Sequence, residues 1–182
     1  VALIDYPAPE TLAPEIADRL ARLGSLNVTR MMAHAPELMV VYSKVGSHLL
    51  LKGRLDPVLR EVVILRIGQL CQSDYEWHQH VSVARAIGMS DAMLSAIEQH
   101  RFEALPEPAR IVARAAEEVH GEGRISPELL AEAQRHFSTA ELVELSLLAG
   151  FYMMTAAFLR TFQVDIEETA PLGASLPPGK SP

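Results

Sequence analysis

The chain has 182 residues, a length that one domain with a substantial core accommodates. Hydrophobic residues make up 49% and charged ones 21%, a balance that excludes an intrinsically disordered chain. The 16 Lys and Arg against 23 Asp and Glu leave a net charge of −7, so the basic footprint required to bind nucleic acid is missing. A single cysteine cannot form an internal disulfide, which fits a reducing, cytoplasmic setting. No secretory signal opens the chain, which starts at Val1 rather than a methionine.

Read in order, the chain is a string of helical segments, and no run keeps the period-2 alternation of a strand. An all-α fold is expected. "PETLAPEIADRLARLG" reads as one amphipathic helix ended by Gly24. In the next segment Pro36 falls in the first turn of a long helix that Gly53 closes, and Asp56-Pro57 then supply a cap and first position for "VLREVVILRIGQLCQ". A further helix runs from about Ser73 to Gly88, and another starts at the cap Ser90. "EPARIVARAAEEVHGEG" follows, ended by Gly121 and Gly123. Ser126-Pro127 open the next helix, and Ser138 with Glu141 open the last. The apolar stretch Leu145 to Leu159 is shorter than the roughly 20 residues that span a bilayer, and it reads as a buried helix. From about 165 to 182 a Pro-rich, aperiodic tail reads as an extended arm of a single 1–182 domain, ordered by lying on a neighbour.

"CQSDYEWHQH", Cys71 to His80, concentrates chemistry-bearing side chains. Ser73-Asp74-Tyr75-Glu76 fits a capping box, in which Ser73 and Glu76 each satisfy the other's backbone N–H, and Asp74 and Glu76 suit the positive end of the helix. Glu76 and His80 are spaced i,i+4 and share a face, whereas His78 lies about 200° away from His80. Trp77, Val81 and Ala84 put apolar bulk on the His80 side, with Gln79, Ser82 and Arg85 on a more polar face. His80 is therefore either a hydrogen-bonded core histidine or a tunable general acid/base. Glu61 sits among Leu59, Val62, Val63 and Ile64, where a carboxylate needs a partner. If its helix packs back on the next, Glu61 could orient His80; otherwise it is an exposed partner of Arg60 or Lys52.

The stretch from Leu55 to Ser90, with "LRE", "YEW" and His80 in order, resembles the core of the carboxymuconolactone decarboxylase and alkylhydroperoxidase D-like family. That resemblance, extending from about Leu26 to the "SLPPG" arm, implies an all-α homo-oligomer, often a trimer or hexamer, with a dimer also compatible. In the peroxidase branch the glutamate is followed twelve residues on by Cys-x-x-Cys and then by a histidine. Here Glu61 and His80 match, but Ser73 and Glu76 occupy the cysteine positions. A dithiol cycle needs two thiols and is excluded; lone Cys71 reads as a small buried side chain. The decarboxylase-like branch then implies a cofactor-free, metal-free lyase acting on a small carboxylated lactone or related aromatic-catabolism intermediate. His80 would exchange the proton, Glu61 would hold its tautomer, and Glu76 would be a second acid/base group or only a cap. Ser73, Tyr75 and Tyr152 are candidate donors to the substrate, and Arg30 a candidate cation for its carboxylate. The alternatives are a non-catalytic ligand-binding helical oligomer, a peroxidase-related protein without dithiol activity, and a metal held by Glu76 and His80. No nucleic-acid or membrane partner is expected.

Overall fold

The computed structural model describes residues 2–168 and Leu172. Among these residues it is all-helical, without strands. The helices are α1 (Pro14–Arg22), α2 (Asn27–Met32), α3 (Pro36–Leu51), α4 (Pro57–Leu70), α5 (Asp74–Ala86), α6 (Asp91–Glu98), α7 (Glu107–Glu122), α8 (Pro127–Ala133) and α9 (Thr139–Phe162).

Local chemistry explains most boundaries. The Asp56 carboxylate accepts from the N–H groups of Val58 and Leu59 ahead of Pro57, Ser90 from Met93, and Ser126 from Leu129. Ser138 and Glu141 form a complete capping box. The first expected helix is interrupted: Pro9–Thr11 is a 3₁₀ turn, and Ala13 is extended because Pro14 follows it. Gly121 lies inside α7, which ends instead at left-handed Gly123 (φ +72°). Gly53 follows α3 where a Cβ would run into Glu144. That α9 carboxylate accepts from the N–H groups of Arg54 (2.7 Å) and Leu55 (3.2 Å), pinning the α3–α4 link.

α4 lies at the centre, packed on α5, α7 and α9, and α9 also packs on α7. Its residues from Arg60 through Leu65, with Ile67 and Gly68, are all buried, so it is enclosed on every side rather than amphipathic. α9 is the one described helix long and apolar enough to cross a membrane by length and composition; its face of Leu142, Leu145, Leu148, Ala149, Tyr152 and Ala156 is instead buried in the bundle core. α4 ends in a tight reversal: Gln72 is left-handed (φ +54°), and the Ser73 N–H donates to the Gly68 carbonyl at 2.8 Å. The chain thus turns straight into α5. This hairpin lays α5 along α4 and sets His80 opposite Glu61. Of the arm expected at 165–182, the residues beyond 168 other than Leu172 lie outside the described residues.

Candidate active site

The α4–α5 hairpin buries a row of four polar side chains. Glu61 has no solvent exposure, Arg60 3%, and Glu76 and His80 4% each. Glu61 divides its carboxylate: Oε2 accepts from His80 Nδ1 at 2.7 Å, and Oε1 from Arg60 Nε at 3.1 Å. The alternative of an exposed Glu61 paired with Arg60 is half right, because Arg60 is its partner but both are buried. On the other side of the imidazole, Nε2 lies 3.4 Å from Glu76 Oε2. The Glu61 bond places the Nδ1 proton, so Nε2 faces Glu76 with a lone pair or a second, exchangeable proton. Tyr152 from α9 meets the imidazole edge-on, ring centroids 5.0 Å apart.

The capping-box expectation at Ser73 fails. Ser73 is the N-cap residue of α5, but its hydroxyl makes no cap bond and is buried without a partner among the described residues. Two competitors take the reciprocal half of the box. The Ser73 N–H, which Glu76 would have satisfied, already serves the end of α4, and the Glu76 carboxylate turns inward to His80. At Gly68 a Cβ would make an ordinary van der Waals contact with Glu76 Cβ, at 3.4 Å.

Burial of Glu76 pushes its carboxyl up to about 7, moderated by the attraction of His80 and reinforced by Glu61. For His80, burial opposes the charged form, but the charge and hydrogen bond of Glu61, with Glu76, prevail and raise its proton affinity above that of free imidazole. Burial, then the charges of Glu76 and Glu61, push the Tyr152 phenol well above its ordinary value, so it stays a neutral O–H donor. Both Glu76 and His80 hold protons more tightly folded than unfolded. Their stabilisation is present at low pH and is lost as pH rises, Glu76's share between 4.5 and about 7. The thermal midpoint of Glu76→Gln is therefore expected to fall less than that of wild type between pH 5 and pH 7; parallel midpoints across that range would contradict the buried, protonatable Glu76.

His80, Glu76, Tyr75 and Tyr152 line a cavity of about 420 Å³ between α2, α3, α5 and α9, whose walls include Leu26, Val28, Tyr42, Leu50 and Phe151. Arg22 lies on the lining as well and pairs with exposed Asp18. Three expected residues are placed otherwise. Ser73 is off the cavity lining. Arg30 lines a separate cleft with Tyr6 and Asp165, its guanidinium 4.5 Å over the Tyr6 ring and bonded to Asn27 Oδ1 at 2.7 Å. Gln79, read as lying on a polar face, is buried and lines the cavity.

The reason for Gln79 lies far along the chain. Glu167 accepts from Gln79 Nε2 (2.5 Å), from the Asn27 N–H (2.5 Å) and from the Tyr75 hydroxyl, while Gln79 Oε1 accepts from the Leu172 N–H at 2.6 Å. Leu172 itself lines the cavity. Neither residue was flagged by sequence, because no local pattern marks a contact some 90 residues away. Tyr75, bound to Glu167 and to the Val28 N–H, is thus committed to protein partners. Cys71 is half-buried and absent from the cavity lining; burial pushes its thiol up, away from a reactive thiolate. Among the described residues no group of three or more His, Cys, Asp or Glu side chains is arranged to hold a metal ion.

The molecule is thus an all-α bundle whose central hairpin carries a buried carboxylate–imidazole–carboxylate row beside a cavity. Residues 36–118, which contain that row, match the model of the carboxymuconolactone decarboxylase family, and the fold is consistent with this alkylhydroperoxidase D-like group. Solved structures share the fold at low identity. A peroxidase-related protein with an alkylhydroperoxidase AhpD core from Ralstonia eutropha JMP134 superposes with TM-score 0.83 at 16% identity, covering 92% of this chain and 93% of its own. A peroxidase-related protein from Silicibacter sp. TM1040 gives 0.78 at 16% identity, covering 92% of each chain. A putative antioxidant defence protein AhpD, ATU0492, from Agrobacterium tumefaciens gives 0.67 at 15% identity over 76% of this chain and 96% of that one. No curated protein matches the sequence.

Proposed function

We propose that the chain is a cofactor-free lyase or proton-transfer enzyme of the decarboxylase-like kind, acting on a small carboxylated lactone or a related aromatic-catabolism intermediate. The observation that carries this reading is the His80 imidazole, buried at the cavity with Nδ1 tied to Glu61 and Nε2 facing a Glu76 whose carboxyl is pushed to about 7. An acid/base pair balanced near neutral pH is what proton exchange at carbon demands. In a decarboxylation the C–C bond to the carboxylate breaks, its electron pair passes into an enolate, and CO2 leaves. The enolate carbon then takes a proton from the His80–Glu76 pair, and solvent returns that proton to the pair. Tyr152 can donate to the developing enolate oxygen. An un-ionised Glu76 also spares an anionic substrate a like charge in the cavity.

The Ralstonia and Silicibacter relatives are peroxidase-related proteins, which favours peroxidase-related chemistry. With one cysteine in the chain, a dithiol cycle within the subunit has no second sulfur. A purely ligand-binding role is less favoured, because both His80 and Glu76 reach the cavity. The assay is CO2 release from a carboxylated muconolactone by the full chain, with Cys71→Ser releasing it at the wild-type rate. Absence of CO2 release, or its loss in Cys71→Ser, would remove this reading.

We also propose that the protein self-associates. Leu38, Val41 and Val45 along α3 and Val143, Leu147 and Met154 along α9 are large apolar side chains exposed at helical spacing, a surface that a second copy would cover. Light scattering should give a multiple of 20.0 kDa for wild type and a smaller mass for Leu147→Asp. A monomeric wild type would refute it.

A further inference from the structure

Arg60 stands beside the centre without being accounted for by capping, by the core or by the proton transfer just described. Its guanidinium is buried although long basic side chains ordinarily carry their charge to water. Adjacent residues on a helix point about 100° apart, so Arg60 reaches Glu61 only by folding back along α4. Its Nε donates to Glu61 Oε1 at 3.1 Å and Nη1 to the Leu50 carbonyl at 2.7 Å, at the end of α3. Nη2 is buried with no partner among the described residues. A buried charge is retained at such cost only with a counter-charge in place, and here that counter-charge is the carboxylate that also holds His80.

We infer that Arg60 is a positioning residue of the acid/base centre: by occupying one oxygen of Glu61 it sets how much of that carboxylate's charge is left to hold the proton on His80 and Glu76. The groups facing His80 are few. Arg60 and Glu61 come from α4, Glu76 from its own helix α5 and Tyr152 from α9; Tyr42 of α3 lies beyond, bonded to Thr155 at 2.7 Å. Arg60 is the permanent cation among them. With it, one of the two carboxylates is balanced before the imidazole takes up a second proton. Without it, both depend on the imidazole, and any cluster that loses a positive charge binds protons more tightly. The inference rests on the acid/base reading of the site, but its test does not use turnover.

In substrate-free protein labelled at histidine Cε1, the His80 resonance is assigned by its loss in His80→Ala and followed against pH. Arg60→Met should raise the midpoint by about one unit, roughly tenfold in proton affinity, while Arg60→Lys, which keeps the charge, should shift it by less than about a third as much. An unchanged midpoint in Arg60→Met would reduce Arg60 to a brace between α4 and α3 and overturn the inference. Should that variant not fold, the wild-type Arg60 Nε–H resonance decides. It should move with the same midpoint as His80, and a signal flat through that titration would equally overturn it. Either outcome stands whether or not the protein releases CO2 from a lactone.

Discussion

His80→Ala should lower turnover of a carboxylated muconolactone by about 10²–10⁴-fold, the usual contribution of a positioned general acid/base. The substitution removes the group that touches both Glu61 and Glu76, so Glu76 is left at the cavity without the imidazole that shares its proton. The helical fold should survive, since Glu61 keeps its Arg60 partner and the vacated space opens onto the cavity. The comparison is steady-state turnover of the two proteins with matched circular dichroism. Full activity in the variant would eliminate the mechanism.

Glu61→Ala should have the largest effect on stability, about 3–5 kcal/mol, because it leaves the buried Arg60 without its counter-charge. Glu61→Gln keeps the shape and one acceptor and should cost less, while still depriving His80 of the carboxylate that fixes its tautomer. Urea unfolding of the three proteins at one pH measures both. A Glu61→Ala protein within about 1 kcal/mol of wild type would mean that the Arg60–Glu61–His80 row is not held together as described.

Two occurrences of the same Ser-x-x-Glu pattern show what local sequence reveals. At Ser138–Glu141 the helix start is exposed, nothing competes for either side chain, and the capping box forms. At Ser73–Glu76 the start is buried against α4, the Ser73 N–H and the Glu76 carboxylate are taken by other partners, and the Ser73 hydroxyl is left without one among the described residues. The caps at Asp56, Ser90 and Ser126 were legible for the first reason. The Glu61–His80 contact could be posed because a short turn between two apolar helices forces a hairpin. Arg60 is read from sequence only as an exposed partner of Glu61, because a charged neighbour at i−1 reads as solvated; its burial is not legible there. Gln79 was misread because the residues that cover it, Glu167 and Leu172, lie in a segment without periodicity. Arg30 was selected for its charge, and charge says nothing of direction; it stacks on Tyr6 in another cleft.

The central claim is that the cavity-facing His80–Glu76 pair delivers a solvent-derived proton to carbon. It is tested most directly by running the full chain with a carboxylated muconolactone in D2O and reading the product by NMR. One solvent-derived deuterium is expected at the carbon of the enolate that is protonated after CO2 leaves, in a single configuration, in wild type and not in His80→Ala over the same time. Product with deuterium in both configurations, or equal deuteration by His80→Ala, would contradict it.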